Sequence, residues 1–119
     1  MVDATRDLIL DADDIELVKV TVPGWKDRNG NLLDVYIKQM SGKDAEEYLS
    51  ATDEHGVAPE THNIKIVLIS VCDSHGNRLF NKKDYKRLSE KNSRIITWLF
   101  NKILEINFSA ISIEEQAKN

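Results

Sequence analysis

Residues Asp73 to Asp84 span twelve positions, with the length and the acidic ends of a calcium-binding loop. The interior does not fit. Gly76 stands at loop position 4, whereas the sharp turn needs glycine at position 6, which Arg78 fills. The loop also closes on Asp84 in place of the longer glutamate that grips a cation through both oxygens. Asp73 and Gly76 suit a tight turn better, with Phe80 anchoring it in the core. A small metal-dependent enzyme built on Asp73, His75 and Asp84 is the alternative this stretch leaves. His55, His62 and His75 lack the short spacing of metal ligands, and Cys72 is the sole cysteine. His55 and His62 would share a face only on a continuous helix, which Gly56 and Pro59 interrupt. No Gly-x-Ser-x-Gly elbow and no glycine-rich phosphate loop occurs. Cys72 ends an apolar segment with no neighbour to lower its pKa. Glu46 and Glu47 are adjacent, so on a helix they diverge by about 100° and do not converge on a substrate. These residues name no catalytic, metal-binding or cofactor-binding group, and the reading is of a protein that is not an enzyme.

Binding is the remaining kind of function. Lys82, Lys83, Lys86 and Arg87 form a basic stretch interleaved by Tyr85. A nucleic-acid footprint calls for a basic domain, and this chain is acidic, with 16 basic and 20 acidic side chains and a net charge of −4. A solvated helix face is the expected role. Residues 1–60 sum to −8 and residues 61–119 to +4. If the halves occupy different surfaces, the domain is electrically polar and suited to head-to-tail association. A chance scatter over one solvated surface is the other reading. Ser93–Asn107 is the most informative segment. On a helical wheel Ile95, Ile96, Leu99, Phe100, Ile103, Leu104 and Ile106 fill an arc of about 180°, with Trp98 outside it, whereas a surface helix needs about 100°. Ile95, Trp98, Phe100 and Leu104 are therefore the candidate partner-binding residues, unless neighbouring helices of the same domain cover both flanks.

The elements that must carry these residues follow from spacing. The 119 residues fit one domain, with 41% apolar and 30% charged side chains. No apolar run approaches a membrane span, no signal peptide opens the sequence, and a lone cysteine points to the reducing cytoplasm. Residues 1–14, with five aspartates around Leu8-Ile9-Leu10, read as a partly ordered acidic arm, and residues 15–119 as the domain. Val18, Val20 and Val22 alternate with polar residues in a strand over Glu16–Val22 that Pro23-Gly24 ends. Leu33, Val35 and Ile37 share one face of a second strand, so an antiparallel hairpin is the simplest pairing. Ser41 three residues before Asp44 starts a helix over Lys43–Ala51, and residues 52–60 form a polar connection. Asn63–Cys72 is apolar all round, either a buried helix or a buried central strand. Asn81 caps a helix over Lys82–Lys91, Asn92 or Ser93 caps the next, and Ser112 with Glu115 forms a capping box for a short last helix.

The order of these features resembles a known family. A strand ending in Val22-Pro23-Gly24-Trp25 precedes a second containing Val35-Tyr36-Ile37-Lys38, and a helix start follows over Met40–Ala45. The apolar Ile64–Cys72 leads into the turn from Asp73 through Gly76 to Leu79-Phe80. Asp84 to Leu88, the Ser93–Asn107 helix and a short acidic tail ending Ala117-Lys118-Asn119 complete the pattern. From about residue 15 the chain is similar to the tail assembly chaperones of long-tailed bacteriophages and related prophage proteins.

That resemblance implies an α+β fold, with a small N-terminal antiparallel hairpin or sheet followed by a bundle of four to five helices, and it favours the helical reading of Ile64–Cys72. It implies a chaperone in the bacterial host cytoplasm that keeps the tape measure protein soluble, helps recruit tail tube subunits, self-associates and leaves before the virion is finished. Neither nucleic acid nor membrane is among its expected partners. The family commonly makes a longer form by programmed ribosomal frameshifting, and that extension would meet the major tail protein. The Lys118-Asn119 codons can be written as an A-rich slippery heptamer. The arm of residues 1–14 has no counterpart in this pattern. The alternative is another tail or connector component that stays in the particle.

Overall fold

Alternating β-branched residues lay down the sheet. In the computed structural model, which describes residues 2–50 and 62–108, β1 (Leu17–Lys26) and β2 (Leu32–Lys38) form an antiparallel hairpin. Val20 lies opposite Val35 and Val18 opposite Ile37, and Val20, Val22, Val35 and Ile37 are buried. On the outer face the Thr21 hydroxyl donates to Asp34 Oδ1 at 2.6 Å, and Lys19 Nζ lies 3.6 Å from Asp34 Oδ2.

Two details depart from expectation. Pro23-Gly24 does not end β1, which passes through a register irregularity between Thr21 and Lys26 and continues. A bulge leaves ladder positions unpaired, so a proline without an N–H is tolerated there. Leu33 is 40% exposed rather than buried beside Val35 and Ile37, because at this end of the hairpin the inner face opens onto a surface groove.

Gly24 is the point where β1 meets the helix over Ser93–Phe108. Its φ is +90°, and a Cβ there would lie 2.9 Å from Ile95 Cδ1. Gly30 has φ +84° in open space. Gly30→Ala is thus expected to cost about 1 kcal/mol through backbone strain alone. Gly24→Ala adds the displacement of Ile95 and should cost about 2 kcal/mol or more, read from urea unfolding midpoints at constant m. Equal losses at the two sites would show that Ile95 yields without cost.

The hairpin loop and the later turn use one device twice. Asp27 Oδ1 accepts from the N–H groups of Asn29 (2.8 Å) and Asn31 (2.9 Å), with Gly30 at positive φ between them. Asp73 Oδ1 accepts in the same way from His75 (2.8 Å) and Asn77 (3.0 Å), with Gly76 at φ +82°. An aspartate, a glycine three residues on and an asparagine after it thus make the same turn at both places. Donation from Asn31, then Asn29, holds the Asp27 carboxyl below its ordinary value, and Asn77, then His75, does so for Asp73. Both groups bind a proton less tightly folded than unfolded. Their contribution to stability is therefore complete above the ordinary value of 3.8 and is lost as pH falls through the lower folded values. The urea midpoint is expected to drop on acidification below pH ~4, and Asp27→Asn with Asp73→Asn should flatten that drop. An unchanged pH profile in the double variant would count against these bonds.

Helix α1 (Arg6–Leu10) precedes the sheet, and α2 (Gly42–Ser50) follows it. The α2 start is a reciprocal cap: Asp44 N–H donates to Ser41 Oγ at 3.1 Å, and Ser41 N–H to Asp44 Oδ2 at 3.4 Å. The apolar segment with two open readings adopts both. Its first part is α3 (His62–Ser70), and the chain then runs straight into β3 (Val71–Cys72), antiparallel to β2 with Val71 opposite Ile37. The sheet order is β1-β2-β3. The strand reading of this segment thus holds for its last two residues, at the edge of the sheet and not in its centre. Burial of α3 on all sides follows from its neighbours, since α2, α4 and α5 all pack against it.

Asn81 caps a 3-10 turn over Lys82–Asp84 that leads into α4 (Tyr85–Ser89), shorter than the helix expected over Lys82–Lys91. The longest helix among the described residues, α5 (Ser93–Phe108), packs on α3 and β1. The architecture is α+β. The polar connection of 52–60, the cap at Ser112 with Glu115 and the tail lie outside the described residues.

Candidate functional site

Apolar side chains come to the exterior on α1 and on surfaces that the domain builds, of which helix α5 provides the first. Asn92 Oδ1 caps it, accepting from the N–H groups of Arg94 (2.9 Å) and Ile95 (3.4 Å). At the other end Asn107 Oδ1 accepts from Met40 N–H at 2.7 Å, while its Nδ2 donates to the Ile103 carbonyl at 3.0 Å. The helix is thus tied down at both ends, and its orientation is set by these bonds and by a buried ridge of Ile96, Leu99 and Ile103.

Ile95, Trp98, Phe100 and Leu104 are each half-buried and packed against the core cluster. Helical geometry places Ile95 and Trp98 on one flank of the ridge and Phe100 and Leu104 on the other. The four do not form one patch. Trp98, expected on the polar side, instead packs partly against the core. Its indole is long enough to reach back from a position well round the helix.

The second surface is a groove that no spacing in the sequence points to. Trp25 and Leu33 from the hairpin face Phe80 and Leu88 from the other half of the chain, with Lys26 and Lys91 also lining it, around a volume of about 420 Å³. It adjoins a smaller hollow of about 210 Å³ that shares Phe80, Leu88 and Lys91 and adds Asp84 and Arg87. Leu88 forms a buried floor, Trp25 and Phe80 are half-buried walls, and the basic residues are exposed. The only sequence signal was a tryptophan directly after Pro23-Gly24.

The residues considered for chemistry have other engagements. Asp73 is occupied by backbone donors, and Asp84 Oδ2 accepts from Asn81 N–H at 2.9 Å. Among the described residues no group of three or more His, Cys, Asp and Glu side chains is placed to hold a metal ion. Burial raises the pKa of the Cys72 thiol, with Lys38 and Arg78 opposing it, so little reactive thiolate forms. Arg78 reaches across to α2, its Nη2 donating to Asp44 Oδ1 at 2.9 Å and Glu47 Oε2 at 3.1 Å. Burial works against its charge, but Glu47 and Asp44 outweigh it and raise the pKa of the guanidinium. This ion-pair cluster fastens the Asp73–Phe80 turn to α2. Among the described residues no helix is long and apolar enough to cross a membrane.

No curated protein matches the sequence. The fold is similar to that of a structure described as the bacteriophage HK97 tail assembly chaperone, with a TM-score of 0.60, 15% identity, and coverage of 87% of this chain and 94% of that one. At that identity the likeness is one of fold. A family model for phage tail assembly chaperones matches residues 13–107, a span that takes in the whole hairpin, the α3–β3 segment and the buried ridge of α5, and the chain belongs to the phage tail assembly chaperone family.

Proposed function

We propose that this chain binds the tape measure protein in the bacterial host cytoplasm, keeps it soluble, helps recruit tail tube subunits and is absent from the mature virion. The observation that supports the reading is a set of apolar side chains left half-covered on both flanks of α5, in a member of this family. A long apolar client needs many modest contacts, and several copies acting together supply the strength that one copy lacks. In this reading the outer faces of Ile95, Trp98, Phe100 and Leu104 form the client contact. Copies self-associate along the client, and a frameshifted longer form contacts the major tail protein.

Co-expression tests the central step. The tape measure protein should move from the insoluble to the soluble fraction when this chain is present, and a client that stays insoluble at equal expression counts against the reading. Mass spectrometry of purified virions should find no copies. Recovery in stoichiometric amounts would favour a connector or tail component retained in the particle.

A further inference from the structure

We propose that the N-terminal arm of one copy docks through Leu8, Ile9 and Leu10 into the groove of Trp25, Leu33, Phe80 and Leu88 on a second copy. The contact rests on the self-association proposed above and gives it a geometry. Helix α1 is capped by Thr5, whose Oγ1 accepts from Leu8 N–H at 3.3 Å, yet it turns three large apolar side chains to solvent, 57%, 61% and 65% exposed. A five-residue helix has too few hydrogen bonds to persist alone, so it needs a surface to lie on.

The charges of arm and groove are complementary. Residues 1–14 carry five aspartates and one arginine, Arg6, which pairs with Asp7 at 2.9 Å. The groove and its adjoining hollow present Lys26, Arg87 and Lys91, none in an ion pair among the described residues. Asp84, the acidic neighbour, already caps Asn81.

The fold of a single copy leaves the two apart. Leu8, Ile9 and Leu10 line neither the groove nor the adjoining hollow of their own chain and stay exposed, so the groove of a second copy is the surface the arm is free to meet. The family match begins at residue 13, so α1 lies outside the matched span. An arm in one place and a receptor in another make a head-to-tail contact, which propagates into a ring or an open chain.

Sedimentation velocity on the full chain and two exposed-site variants tests the contact, with circular dichroism confirming each fold. Leu8→Asp with Ile9→Asp removes the arm, and Lys26→Glu with Lys91→Glu inverts the groove rim. Each should weaken self-association by about tenfold or more. An equimolar mixture should give heterodimers and nothing larger, because one working arm and one working groove remain. An arm variant that assembles like wild type overturns the docking while self-association stands, and so does a rim variant that assembles normally. A wild-type chain that stays monomeric at every concentration removes the self-association reading and this contact together. Client solubilisation, measured on the same variants, reports separately on chaperone function.

Discussion

Leu99→Ala is expected to lower the unfolding free energy by about 2–5 kcal/mol. Leu99 is fully buried in the middle of the α5 ridge, between Ile96 and Ile103, where the helix packs on α3 and β1. The core cluster that it belongs to is rich in β-branched side chains, among them Ile66, Val67, Val22 and Val20, which have little rotamer freedom to fill a void. The site therefore cannot collapse easily, which places the loss in the upper part of that range. With total stability of about 5–15 kcal/mol for a domain, such a loss is a large share of the whole. Urea unfolding should show a lower midpoint at unchanged m. A loss under ~1 kcal/mol would mean that α5 does not dock on α3 as described.

Trp98→Glu, one residue earlier, should have the opposite profile. Trp98 is half-buried on the flank of the ridge, so a carboxylate there keeps access to water, and the stability loss should stay near ~1 kcal/mol. On a client-facing surface the same change replaces a large apolar contact with a charge that must be desolvated. With several copies on one client, as proposed above, a modest loss per copy would compound along its length. The soluble fraction of co-expressed tape measure protein is expected to fall to the level seen without chaperone. Leu99→Ala, less stable but unchanged at the surface, should still rescue the client at low temperature. Full rescue by Trp98→Glu at equal expression would remove this flank from the contact surface, and Trp98→Ala repeats the test should the charged variant misfold.

Much of the architecture was legible in short-range spacing. The valine alternation of β1 and β2 set the hairpin. Ser41, Asn81 and Asn92 marked helix starts that the structure confirms by their hydrogen bonds. These signals are local because caps and alternation act over three or four residues. Ile64–Cys72 was not legible in the same way. A segment buried on every side carries no period, and its change from helix to strand after Ser70 depends on β2 offering Tyr36 and Ile37 as partners. The resemblance to tail assembly chaperones was carried by the order of motifs along the chain, which needs no contacts to be read.

The surfaces were another matter. The width of the apolar arc on α5 was apparent from sequence, yet its division into two flanks depends on where α3 and β1 meet the helix. The groove joins Trp25 and Leu33 to Phe80 and Leu88, partners about fifty residues apart, and no spacing rule relates such positions. The continuation of β1 past Pro23-Gly24 likewise depends on β2, where Leu32 pairs with Lys26 beyond the irregularity. By itself the sequence determined the hairpin, the helix starts at Ser41, Asn81 and Asn92, and the family, because hydrogen-bonding periods and caps are written in neighbouring residues. Tertiary structure alone decided which apolar side chains are covered and which remain for a partner, because burial depends on every element that packs nearby.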